Sequence, residues 1–87
     1  LTTRIERLAV DTARVALGDR DARRAEQAIE AGLKAIPESP VLWETRMVAA
    51  AGSGYGLHRA WADAQNALGP DAPMLAPTFQ RLAQGRF

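Results

Sequence analysis

Few residues in this chain are equipped for chemistry: one histidine, ten carboxylates, ten arginines, one lysine and no cysteine. His58 falls near the start of a helical segment. A general base there needs a nucleophile or an oriented proton within hydrogen-bond reach, and no acid partner lies at a spacing that identifies it. It reads as a surface or rim histidine without a catalytic role. Asp19 and Asp21 flank a helix start, where carboxylates cap backbone donors and suit the positive end of the helix dipole. A calcium loop would need several more oxygen ligands at regular spacing. Glu26 and Glu30 form an i,i+4 acidic pair beside Arg23 and Lys34. Glu30 and Lys34 are ordered for a helical ion pair of about 0.3 kcal/mol, which describes a solvated face. Gly52, Gly54 and Gly56 have no accompanying lysine and no preceding strand, so a phosphate-binding loop is not indicated.

Arg4, Arg7, Arg14, Arg20, Arg23 and Arg24 give the first third a basic cast, tempered by Glu6, Asp11, Asp19 and Asp21. Arginine suits phosphate, so contact with a DNA backbone is one reading of these residues. No aromatic residue interleaves with them, as single-strand stacking would want. A net charge of +1 is far from the excess that nucleic-acid binding usually shows. Without cysteine there is neither a disulfide framework nor a thiolate metal site. The residues indicate no enzyme, no metal and no cofactor. Arginine outnumbers lysine ten to one and alanine is abundant, which reads as the codon bias of a GC-rich bacterial genome.

At 87 residues the chain is one domain, able to bury roughly 60–65% of its unfolded surface. Hydrophobic content of 47% and charged content of 24% belong to a folded rather than a disordered chain. No stretch approaches the roughly 20 apolar residues that span a bilayer, so no membrane contact is expected of this segment, and a cytoplasmic location is. The chain opens on Leu1, which suggests a fragment of a larger protein.

The elements that must position any site are helices. Thr3 and Glu6 have capping-box spacing. Behind them Ile5, Leu8, Ala9, Thr12, Ala13 and Ala16 mark the inward face of a first helix that Gly18 stops. Asp19 or Asp21 caps a second, whose inward face is Ala22, Ala25, Ile29, Gly32, Leu33 and Ile36, ended by Pro37. Ser39-Pro40 restarts the chain as N-cap and first helical residue. The third helix carries Trp43, Met47 and Ala50, widened by Val41, Leu42, Val48 and Ala49, and ends in Gly52-Ser53-Gly54. The fourth places Leu57, Ala60, Trp61, Ala64 and Leu68 inward. Gly69, Pro70 and Pro73 enforce a loop, and a short fifth helix starts near Pro77 with Leu75, Phe79 and Leu82 inward. No segment alternates with period two. The fold class expected is all-α, about five helices in antiparallel pairs, with small residues at the crossings and Trp43 and Trp61 as buried keystones.

The helix pairs recur at a spacing in the mid-thirties, the tetratricopeptide period. Ala25, Ile29, Gly32 and Pro37 fall where that repeat wants small, large, small and proline. Trp43 holds the opening bulky position of a second unit, Gly54-Tyr55 match its turn, and Ala60, Ala64 and Ala67 follow with a one-residue offset. The turn Gly18-Asp19-Arg20-Asp21 is about two residues too long, and Arg46 stands where an aliphatic residue is usual.

Taken together, Ile5–Leu17, Ala25–Pro37, the third-helix run from Trp43 to Gly52, Gly56–Trp61 with Ala67-Leu68-Gly69, and Ala76-Pro77-Thr78-Phe79 with Leu82 resemble the bacterial transcriptional activator domain. This is the tetratricopeptide-like helical domain of SARP-type regulators. The resemblance implies a domain that follows a winged-helix DNA-binding domain and contributes to dimerisation, regulatory contacts and the DNA-bound assembly. It also occurs at the C-terminal end of larger membrane- or peptidoglycan-associated bacterial proteins. No winged helix is recognisable here, so any DNA-reading part would lie elsewhere in the parent chain.

The resemblance further implies a ligand face on the inner side of the first helix of each pair. In this sequence that face comprises Arg7, Val10 and Arg14, with Glu44 and Val48. Val10 and Leu17 lie off the expected core stripe and are rimmed by arginine, as a partner surface would be. The alternative is that the fifth helix or a neighbouring domain covers them. The function expected is protein–protein interaction or dimerisation, with a protein partner or a second copy. The alternative is accessory DNA contact through arginines.

Overall fold

The helices form where capping and apolar spacing place them. A computed structural model describes residues 2–54 and 56–85. They run as α1 (Thr2–Gly18), α2 (Ala22–Ala35), α3 (Pro40–Ser53), α4 (Leu57–Leu68), a 3-10 helix (Gly69–Leu75) and α5 (Ala76–Ala83), with no strand among the described residues. Tyr55, matched above to a repeat turn, lies outside the described residues.

Each junction has a local cause. Thr3 sits inside α1 rather than at its cap, because the helix already includes Thr2. Gly18 does not take the left-handed turn that ends α1; Arg20 does, at φ 59°. The Arg20 N–H donates to the Leu17 carbonyl at 3.0 Å and the Asp21 N–H to the Ala16 carbonyl at 2.7 Å, the paired bonds of a Schellman turn. Asp21 then caps α2, its carboxylate accepting from the Arg24 N–H at 3.1 Å. That settles the choice between Asp19 and Asp21. Ser39, 2% exposed, accepts from the Leu42 N–H at 3.3 Å, with Pro40 opening α3. Gly54 closes α3 at φ 87°, a conformation a side chain would strain.

α3 is the hub, touching α1, α2, α4, the 3-10 helix and α5. Leu42 and Met47 of α3 and Ile29 of α2 are fully buried, in one core with alanines from α1, α2 and α4. Trp43 is buried, and its indole N–H donates to the Pro37 carbonyl at 2.8 Å, clasping the α2–α3 turn to the hub. Arg46 occupies its aliphatic position by laying its guanidinium 5.3 Å from the Trp43 ring centroid and reaching Asp63 at 3.7 Å. The arginine stem covers apolar surface while its head stays polar.

Three further expectations are corrected. The core stripe of α1 is Ala9, Val10, Ala13 and Ala16 with half-buried Leu17, while Ile5 and Leu8 are 40% and 68% exposed. α1 lies against both α2 and α3, and facing two helices rolls its buried stripe away from Ile5 and Leu8. The Gly69–Leu75 segment is not irregular: its prolines fit a 3-10 helix that buries Ala72 and Leu75. Trp61 is only half-buried, stacked on Phe79 of α5 with centroids 5.1 Å apart and planes at 14°.

If Trp43 is the clasp described, Trp43→Phe removes one hydrogen bond and part of a buried ring. It should cost about 1–2 kcal/mol in urea unfolding. Trp61→Phe at its half-buried site should cost clearly less, and equal losses would contradict this division of roles.

Candidate functional site

The five residues of the expected ligand face part company in the structure. Arg7 and Arg14 are exposed on α1. Val10 between them is 7% exposed and belongs to the core, so it is not a surface apolar residue. On α3, Glu44 is exposed and accepts a hydrogen bond from the Thr78 hydroxyl of α5 at 3.3 Å. The fifth helix therefore does reach this end of the face. Val48, one turn on, is half-buried against the core.

Val48 does line an open groove of about 450 Å³, together with Leu17, Arg20, Ala22, Gly52 and Ser53. The end of α1, the first residue of α2 and the last turns of α3 build it. Leu17 and Val48 give an apolar floor. Gly52, one turn beyond Val48, leaves room where a side chain would stand. Arg20, in its left-handed turn, brings positive charge to one edge of the lining, and exposed Arg14 stands one turn before Leu17 on α1, outside that lining. Arg7 lies about two helical turns from Arg14, roughly 10 Å along the axis, and Glu44 lies toward α5; neither lines the groove.

Arg20, Ala22, Gly52 and Ser53 are the lining residues that spacing did not single out as a site. Gly52 is the i+4 neighbour of Val48, which is the signal that could have found it. The left-handed backbone at Arg20 leaves no mark in sequence, because glycine at position 18 is the obvious candidate for it.

His58 is exposed, its ring nearly perpendicular to that of Phe79, with centroids 5.4 Å apart and planes at 85°. Asp21 is occupied as a cap. Among the described residues no group of three or more histidine, aspartate or glutamate side chains gathers as a metal would need. No buried side-chain polar atom there is left without a partner, and no helix is long and apolar enough to cross a membrane. Glu26 and Glu30 do not pair with Lys34; they border a small pocket of about 130 Å³ with Arg46 and Arg59, a mixed-charge seam between α2, α3 and α4. Against family models, curated proteins and solved structures, the chain finds no match.

Position 10 and position 14 should now behave oppositely. Val10→Asp buries an unpaired carboxylate and should cost about 3 kcal/mol or more, a large part of a small domain's stability, with loss of a cooperative melt by circular dichroism. Arg14→Glu, at an exposed site, should stay within about 0.5 kcal/mol of the parent. A stable Val10→Asp chain would mean that α1 is rolled differently.

Proposed function

We propose that this chain is a non-catalytic protein-interaction module of a larger bacterial regulatory protein, of the tetratricopeptide-like kind found in transcriptional activators. It would act in the cytoplasm. The observation that carries the reading is the groove between Leu17 and Val48, apolar in its floor and arginine-edged on one side. A preformed groove on packed helices lowers the ordering cost of binding, and an apolar floor with arginine beside it is the composition of binding hot spots. α1 packs with α2 and α3 with α4, while α3 also touches α1 and α2. Successive units of a helical repeat share that arrangement, which supports the family resemblance. The chemistry favours a partner segment that is apolar and acidic.

A second reading has its own observation. Arg4, Arg7, Arg14, Arg20, Arg23 and Arg24 are all exposed, and none makes an ion pair among the described residues. Accessory contact with DNA phosphates would use them.

One titration separates the two. Nuclear magnetic resonance of the labelled chain is followed with an acidic–apolar peptide, a basic–apolar peptide and short duplex DNA. The groove reading expects shifts at Leu17, Arg20, Val48 and Gly52 with the acidic–apolar peptide alone, abolished in Arg14→Glu/Arg20→Glu. Shifts that instead follow the arginines of α1 and α2 with DNA, and fade steeply between about 50 and 200 mM salt, would replace it with the phosphate reading.

A further inference from the structure

The corrected roll of α1 leaves a second apolar surface, on the far side from α3. Ile5, Leu8 and Val15 are 40%, 68% and 59% exposed. With half-buried Thr12 they repeat at intervals of three, four and three residues along one side of the helix, the spacing of a helix–helix seam. A solvated helix face would be polar at these positions. Beside the seam runs a shallow groove of about 300 Å³, lined by Ile5, Leu8 and Thr12 of α1 and by Ala28 and Ala31 of α2. The alanines keep the α2 side low enough for another helix to come close.

We propose that this face is a self-association surface, on which α1 of a second copy packs antiparallel to α1 about a twofold axis beside Leu8. The inference rests on the interaction reading and deepens it by naming the occupant. Charge selects that occupant. Arg4 and Asp11 are both exposed on the flank of the seam, seven residues apart, and neither has an ion-pair partner among the described residues. A partner of one charge meets one of them well and the other badly. A parallel copy sets Arg4 against Arg4 and Asp11 against Asp11. An antiparallel copy sets Arg4 of each chain against Asp11 of the other, twice by symmetry. The same register fits the apolar residues. Ile5 of one copy drops between Leu8 and Thr12 of the other, and Leu8 drops between Ile5 and Ala9. One alignment therefore satisfies both the charges and the knobs.

Sedimentation equilibrium of the chain over a concentration series is the test, with peptide capture at the Leu17–Val48 groove as a parallel readout. The wild-type chain should reach a dimer. Leu8→Glu should weaken association about a hundredfold or more, since the change is made twice per dimer, yet keep its helical spectrum because Leu8 is largely exposed. Asp11→Arg should weaken it about tenfold, and Arg4→Asp combined with Asp11→Arg should restore it. A wild-type chain that stays monomeric, a Leu8→Glu chain that still pairs, or a charge swap that does not restore pairing would each overturn the proposal. A monomer that still takes the acidic–apolar peptide overturns this surface and leaves the groove reading intact. A dimer that ignores the peptide does the reverse.

Discussion

One contact sets the spacing of everything else: α1, α2 and α3 meet at Gly32. A methyl group built there would stand 3.0 Å from the Ala9 Cβ and 3.1 Å and 3.3 Å from the two Leu42 methyls. Glycine in mid-helix costs about 1 kcal/mol relative to alanine, so this position carries a residue that helix propensity alone disfavours. What it gains is approach. With no side chain on α2, Ala9 of α1 and fully buried Leu42 of α3 close over the backbone, and Ala13, Ala16 and Ala25 continue the close seam at 0% exposure.

The close seam decides which surfaces remain. Because α1 must face both α2 and α3, its buried stripe runs through Ala9, Val10, Ala13 and Ala16, leaving Ile5 and Leu8 outside. The body that results is a slab of 30 × 29 × 16 Å, too thin for a helix to be covered all round. The two apolar surfaces are consequences of this geometry. The Leu17–Val48 groove opens beside Arg20, at the C-terminal ends of α1 and α3, and the Ile5–Leu8 seam lies on the opposite flank. Bulk is supplied at the other end by aromatic stacking. Phe79 stacks on Trp61 and stands nearly perpendicular to His58, contacts that join α5 to α4.

The helices themselves were legible in the sequence because each carries its own local signals: the Asp21 and Ser39 caps, Pro40, Gly54, and the spacing of Ala25, Ile29, Gly32 and Leu33. The roll of α1 was not legible. Its sequence offers two apolar stripes sharing Ala9, Ala13 and Ala16, and single-helix periodicity cannot tell which stripe meets two neighbours at once. That ambiguity put Val10 on the surface and Ile5 in the core. The groove was half legible for a related reason. Val48 is marked by its place on α3, whereas Arg20 enters through a backbone conformation. The 3-10 helix was hidden because glycine and two prolines signal a break, and a 3-10 turn is a break that keeps its hydrogen bonds.

A double-mutant cycle between Gly32 and Ala9 measures directly how closely the three helices meet. Gly32→Ala alone should lower stability by about 1–2 kcal/mol, the overpacking outweighing the gain in helix propensity. Pairing it with Ala9→Gly should recover about 1 kcal/mol beyond additivity, because the displaced methyl is the one in the way. If Gly32→Ala instead raises stability by about 1 kcal/mol, as at an unconstrained helical glycine, and the two changes simply add, the helices are not held as close as described.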